Sequence, residues 1–244
     1  AIFRECPILI ATHSENDNII KANLERFKQE YGEDIPAKFH PKIRSEEACY
    51  DASKIVVEMA RTHGTKLHVL HISTGKEVGL FDNTLPLAEK RITAEACIHH
   101  LWFSEEDYNK KGNWIKWNPA IKTSNDRDTI LKGVLEGNID VIATDHAPHT
   151  IGEKEQPYLK APSGGPLLQH GLVALLEMYH NGKISLDQIV QKTSHNVAIL
   201  FEIESRGFLR EGYYADLVLV DLDNSWEVER ENVLSKCGWS PFEG

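Results

Sequence analysis

Three short apolar runs in this chain end in residues that can hold a metal ion. Ile8-Leu9-Ile10-Ala11-Thr12 leads into His13-Ser14-Glu15, Leu67-His68-Val69-Leu70 into His71-Ile72-Ser73-Thr74, and Ile139-Asp140-Val141-Ile142 into Ala143-Thr144-Asp145-His146-Ala147-Pro148-His149. Strand side chains alternate between faces. His13 therefore shares a face with Leu9 and Ala11, His71 with Leu67 and Val69, and Asp145 with Val141 and Ala143. If that face is the inside of a barrel, two imidazoles and a carboxylate meet at its mouth, a donor set suited to zinc or a similar divalent ion. A carboxylate aimed with small apolar residues needs a metal, a proton or a substrate to satisfy it. The competing reading of Asp145 is a cap on the next turn.

Other polar residues near these runs carry weaker signals. His68 falls on the face opposite His71 and reads as a satisfied histidine under a helix, and His146 as a packing residue opposite Asp145. His99-His100 is either a surface pair before the next helix or a pair with one ring turned to the site. Glu15 either orients His13 or opens the following helix, where a carboxylate is favoured.

The elements that must position these groups alternate. Ile20, Leu24, Phe27 and Tyr31 recur at helical spacing, as do Ala48, Ala52, Ile55, Val56 and Met59. Gly75 to Ala88 reads as a broken helix, Arg91 to Cys97 as a strand, Arg127 to Leu135 as a helix. Strands at about 8–13, 67–72, 91–97 and 139–145, separated by helices, predict a parallel sheet covered by helices. Ligands at the carboxyl ends of several strands are typical of the eight-stranded barrel. Only half the strands of a barrel can be counted, and an open sheet of this kind would keep two unpaired edges. The 244 residues therefore read as an internal piece of a longer chain. Farther on, Leu167, Leu168, Leu172, Leu175, Leu176 and Tyr179 predict an amphipathic helix. Leu186 to Phe201 predicts another, with Ile189, Val190, Val197 and Leu200 inward. Gly212 to Asp221 reads as a buried strand.

Composition excludes several classes. The 244 residues are 41% hydrophobic and 26% charged, with a net charge of -10, and no basic cluster invites nucleic acid. No apolar run is long enough to span a membrane. Cys6, Cys49, Cys97 and Cys237 lack metal or disulfide spacing and read as thiols of a cytoplasmic protein.

The chain resembles the class I dihydroorotases of pyrimidine biosynthesis, within the amidohydrolase superfamily. The likeness runs nearly end to end, through the segments of His13, His71 and Asp145, through Thr93-Ala94-Glu95-Ala96-Cys97-Ile98-His99-His100-Leu101, Trp117-Asn118-Pro119-Ala120-Ile121-Lys122, and Lys160-Ala161-Pro162-Ser163-Gly164-Gly165. It departs where the family commonly has Cys and Asp in place of Ser14 and Asn16, Pro-Leu-Arg in place of Ala120-Ile121-Lys122, and Phe in place of Ser163.

The resemblance implies an α/β fold, a TIM-type (β/α)8 metal-dependent hydrolase barrel. Residues 1–205 would supply strands five to eight and their helices, and 206–244 the C-terminal portion of a small flanking β domain. His13, His71 and Asp145 would then be metal ligands after strands five, six and eight of a centre holding two zinc ions. A His-x-His pair and a bridging lysine or aspartate would lie upstream. Asp145 would take the proton of the attacking water and pass it to the leaving nitrogen. Asn118 and His149, with backbone groups of Pro162 and Gly164, would contact dihydroorotate or N-carbamoyl-L-aspartate. Hydantoinase, dihydropyrimidinase and allantoinase are close alternatives, as is an inactive scaffold for aspartate transcarbamoylase. Residues 1–244 alone are expected to be inactive and to bind zinc weakly, and the assembly open to the whole protein is a homodimer.

Overall fold

A computed structural model describes residues 1–244. Four strands, β1 (Ile10–Thr12), β2 (Leu67–Val69), β3 (Ile92–Cys97) and β4 (Val141–Ala143), form one parallel sheet in sequential order. Sequential order with a helix in each crossover is the barrel progression, and this α/β sheet supplies about half of such a barrel. The strand ends are neighbours, so the loops leaving them share one rim.

Helix boundaries follow local chemistry. Helix α1 (Asp17–Tyr31) starts at Asn16, whose side chain accepts from the amides of Asn18 (3.0 Å) and Ile19 (3.3 Å), a cap of about 1 kcal/mol. Helix α2 (Glu46–His63) is capped by Ser45 and ends at Gly64 in the left-handed region, φ 65°. Helix α3 (Ile98–Trp102) follows β3 directly. Helix α4 (Ser124–Glu136) begins earlier than its apolar spacing predicts, because Thr123 and Asp126 form a reciprocal capping box. Helix α5 (Leu168–His180) covers the sheet beyond β4 and buries His170, Gly171, Ala174, Leu175 and Met178. The main core runs along β2, β3 and β4 with Ile72, Leu101, Ile130, Val134, Leu167 and Leu175, and a smaller cluster under α1 joins Ile20, Phe27, Ile35, Ile43, Ala48 and Tyr158.

Several expectations are corrected. The buried face of α2 is Ala48, Cys49, Ser53, Val57 and Ala60, while Ile55 and Met59 are exposed. Small residues allow α2 to pack closely, so the bulkier stripe turns outward. The 186–201 helix is interrupted, since Gln191–His195 winds as a π turn. Val190, just before that turn, is exposed, and beyond it the extra residue rotates the face so that Asn196 and Ala198 are buried. Asn196 Nδ2 then donates to the Asp140 carbonyl (2.6 Å) and Lys192 Nζ to the Ile139 carbonyl (2.6 Å). Gly212 to Asp221 forms no strand, and Leu219 is 99% exposed. An apolar segment becomes a strand only when another strand pairs with it, and none does so here. No helix is long and apolar enough to cross a membrane.

Candidate functional site

The rim above the strand ends gathers the predicted donors. β1 stops at Thr12 and β2 at Val69, and the chain turns just beyond each. His13 Nδ1 and His71 Nε2 face each other at 3.0 Å, their ring centroids 4.7 Å apart and nearly perpendicular. His71 is buried and has φ 38°, Asp145 is exposed and has φ 49°, both in the left-handed region that non-glycine residues enter rarely and often at functional positions. These two backbone turns, not strand alternation, aim the side chains.

His13 is oriented from behind. Its Nε2 lies 2.9 Å from Oε2 of Glu15, a side chain only 1% exposed, and Arg44 pairs with the same oxygen. A carboxylate only accepts, so Nε2 of His13 carries the hydrogen and, in the neutral ring, Nδ1 turns its lone pair toward His71. Of the two readings of Glu15, the helix takes neither its start nor its cap from this residue: it is capped by Asn16, and Glu15 holds His13. Its carboxyl pKa is lowered: burial opposes that shift, and the hydrogen bond to His13 with the charges of Arg44 and Lys122 outweighs burial. For His71, burial and His13 beside it lower the pKa, while Asp145 and Glu95 act to raise it. Asp145 thus lies within electrostatic reach of His71, but its carboxylate makes no hydrogen bond or ion pair, and no three His, Cys, Asp or Glu groups converge into a complete metal cage. His13 and His71 are brought together; Asp145 stands beside them with its acceptor capacity unused.

The donor set fits a zinc ion in part. Two zinc–nitrogen bonds of about 2.05 Å at a tetrahedral angle separate their nitrogens by about 3.3 Å, close to the spacing seen here. With the lone pair of His13 Nδ1 at 3.0 Å, Nε2 of the neutral His71 ring carries the hydrogen, and its Nδ1 is buried without a partner.

The other named residues lie in the segments that follow β3 and β4. Asn118 precedes the cis Pro119, and its Oδ1 is buried without a partner. Gly164, at φ 128°, passes so close to Ala147 that a Cβ would sit 2.6 Å from the Ala147 carbonyl oxygen and 3.3 Å from Cδ2 of His149. His149 Nε2 is 3.1 Å from the Ser163 carbonyl, and Trp239 Nε1 donates to the His149 carbonyl (2.7 Å). Backbone groups of Pro162 and Gly164 bond inward, to Lys154 and Lys116.

Further polar residues resolve as follows. His68 is fully buried between Thr93 (2.9 Å) and Glu95 (3.1 Å). His146 Nδ1 accepts from the amides of Leu167 and Leu168, each at 3.0 Å, and so shapes the start of α5. His99 and His100 are not a surface pair: both are buried in α3, His99 stacked on Trp117 at 4.5 Å and His100 Nε2 3.1 Å from the Pro119 carbonyl. Burial lowers both pKa values, that of His100 to about 3. Sequence reasoning missed the buried cations Lys116 and Lys154, which burial pushes down to about 8 and about 7.

Residues 2–239 match the model of the amidohydrolase family. The chain belongs to that family. It is 33% identical over 244 residues to the dihydroorotase of Halobacterium salinarum, covering all of this chain and 56% of that protein. With the dihydroorotase of Staphylococcus aureus it shares 38% identity over 195 residues, 77% of this chain and 44% of the relative. Among solved structures, L-hydantoinase (dihydropyrimidinase) from Arthrobacter aurescens superposes with a TM-score of 0.92 at 26% identity, over 100% of this chain and 55% of that one. The dihydropyrimidinase of Brevibacillus agri superposes with 0.78 at 25% identity, over 87% and 47%. This amidohydrolase chain spans about half the length of the curated relatives it matches.

Proposed function

We propose that the chain is the part of a zinc-dependent cyclic amidohydrolase that carries His13, His71 and Asp145, and that the whole protein interconverts N-carbamoyl-L-aspartate and dihydroorotate in pyrimidine biosynthesis. The observation that carries this is the facing pair His13 Nδ1 and His71 Nε2, set at neighbouring strand ends and backed by the buried Glu15. Zinc held by these residues, with ligands from the rest of the protein, supplies a Lewis acid and lowers the pKa of water.

The chain's own groups do the rest. Glu15 fixes which nitrogen of His13 is available. Asp145, exposed and without a hydrogen-bond partner, takes the proton from the attacking water and delivers it to the leaving nitrogen by a small rotation. Asn118 and His149 bind the substrate carboxylate, and the loop of Pro162 and Gly164 lies along the ring. Residues 1–205 belong to the barrel and 206–244 to the small β domain; the protein is cytoplasmic and works as a homodimer on a small molecule.

A hydantoinase-type cyclic amidase is the second reading, favoured by the likeness to the Arthrobacter aurescens L-hydantoinase. Higher identity to dihydroorotases, across the whole chain, favours the first. The test offers zinc-loaded full-length protein dihydroorotate, dihydrouracil, hydantoin and allantoin. Ring opening of dihydroorotate, abolished by a chelator and restored by zinc, is expected; turnover of hydantoin or dihydrouracil alone supports the second reading, and turnover of none rejects both.

A further inference from the structure

Four buried lysines form no salt bridge, Lys116, Lys122, Lys154 and Lys192, and two of them, Lys116 and Lys154, serve a single loop. Lys154, at the end of the short helix Ile151–Lys154, is 1% exposed, and its Nζ donates to the carbonyls of Pro162 (3.0 Å) and Gly164 (2.9 Å). Lys116, also buried, donates to the carbonyls of Tyr158 (2.7 Å) and Ala161 (2.6 Å), and its own carbonyl accepts from the Gly164 amide (2.8 Å). Neither lysine forms a salt bridge. Burying an unpaired ammonium is costly, so a pair of them devoted to one loop implies that the loop's shape matters.

That shape has a chemical consequence. A trans peptide points its N–H away from its C=O. With the carbonyls of Pro162 and Gly164 drawn inward, the amides of Ser163 and Gly165 turn the other way, and neither has an acceptor within the protein. Gly165 is packed against Trp117 and Trp239, whereas Ser163 is partly exposed. An ammonium on the carbonyl side of a peptide also polarises it and strengthens its N–H as a donor.

We propose that Lys154, backed by Lys116, is a positioning residue that holds the 157–165 loop with its carbonyls inward and thereby presents the Ser163 amide to an anionic or carbonyl oxygen of the substrate. This rests on the functional reading above for the substrate itself, but not for the clamp.

The test uses full-length protein. Lys154→Met is expected to speed hydrogen exchange across 157–165 while leaving β1 to β4 unchanged. It is also expected to raise KM for dihydroorotate about tenfold, the value of one hydrogen bond to a charged group, with kcat within about threefold. Lys154→Arg, which keeps charge and donors, is expected to recover most of the lost KM. Wild-type exchange in Lys154→Met would overturn the clamp, and an unchanged KM over a loosened loop would reduce the lysine to a stabiliser and overturn the positioning role. If Lys154→Met does not fold, Lys116→Met carries the same expectations, and wild-type values there overturn the proposal. Should the wild-type protein open no cyclic amide, the functional reading fails, and loop exchange in Lys154→Met still decides the clamp.

Discussion

Glu15 offers a graded test of the proposed metal centre, because one of its oxygens serves two partners. Oε2 receives both His13 Nε2 (2.9 Å) and Arg44, while Oε1 faces only the Cys49 thiol (3.9 Å). In Glu15→Gln the amide oxygen can take the Oε2 position and its NH2 the thiol side, so geometry survives and only charge is lost. A hydrogen bond to a charged group contributes about 1.5–3 kcal/mol and a neutral one about 0.5–1.5 kcal/mol, so the difference is about 1–1.5 kcal/mol, or roughly tenfold in zinc affinity. Glu15→Ala removes the acceptor altogether, frees the His13 ring to rotate or change tautomer, and is expected to weaken zinc binding about 100-fold, the upper range for a lost orienting partner. Competition of full-length protein against a chromophoric chelator measures both, with nitrogen shifts of the His13 ring reporting the tautomer. Zinc affinity in Glu15→Ala within about twofold of wild type, with unchanged unfolding, would refute the idea that Glu15 prepares His13 as a ligand.

Other expectations follow from single residues. Asp145→Ala should abolish turnover while leaving the fold intact, with only a small loss of thermal midpoint from alanine at φ 49°, since this exposed carboxylate holds no protein partner; undiminished turnover rejects its role as proton carrier. Gly164→Ala should destabilise the protein by about 1–3 kcal/mol in urea unfolding, because φ 128° suits glycine and the new Cβ would lie 2.6 Å from the Ala147 carbonyl; a neutral result would mean that this loop can move aside. Burial holds His99 well below its usual pKa, so the unfolded chain binds a proton below about pH 6.5 that the folded chain refuses, and stability is lost as pH falls through that range. His99→Phe keeps the stack on Trp117 and removes the titrating ring, so its stability relative to wild type should rise between pH 7 and about 4.5 in parallel urea titrations; a constant difference would contradict the assignment.

Much of the frame was legible because hydrophobic period and ligand type are local signals. His13 and His71 ended short apolar runs, and the parallel sheet brings those ends together. The geometric reason offered by alternation was incomplete, however: β2 ends at Val69 and β4 at Ala143, so period two no longer operates at His71 or Asp145. Left-handed backbone at those two positions sets the directions instead, and no composition rule announces it in histidine or aspartate. Lys116 and Lys154 were unreadable for another reason. Lysine in a polar stretch looks solvated, and only the folded loop shows that carbonyls, not carboxylates, receive it. Arg44 and Glu15 are 29 positions apart, a pairing that needed the fold. Leu217 to Val220 misled in the opposite direction, since β propensity without a partner strand leaves an exposed segment.

The left-handed φ of Asp145 sets heat tolerance against the proposed chemistry. Glycine would relax this exposed position by about 1 kcal/mol, whereas at the buried His71 it would leave a cavity, so selection for thermal survival alone should enrich replacements at Asp145 and not at His71. Libraries built for robustness therefore need the Asp145 codon held fixed.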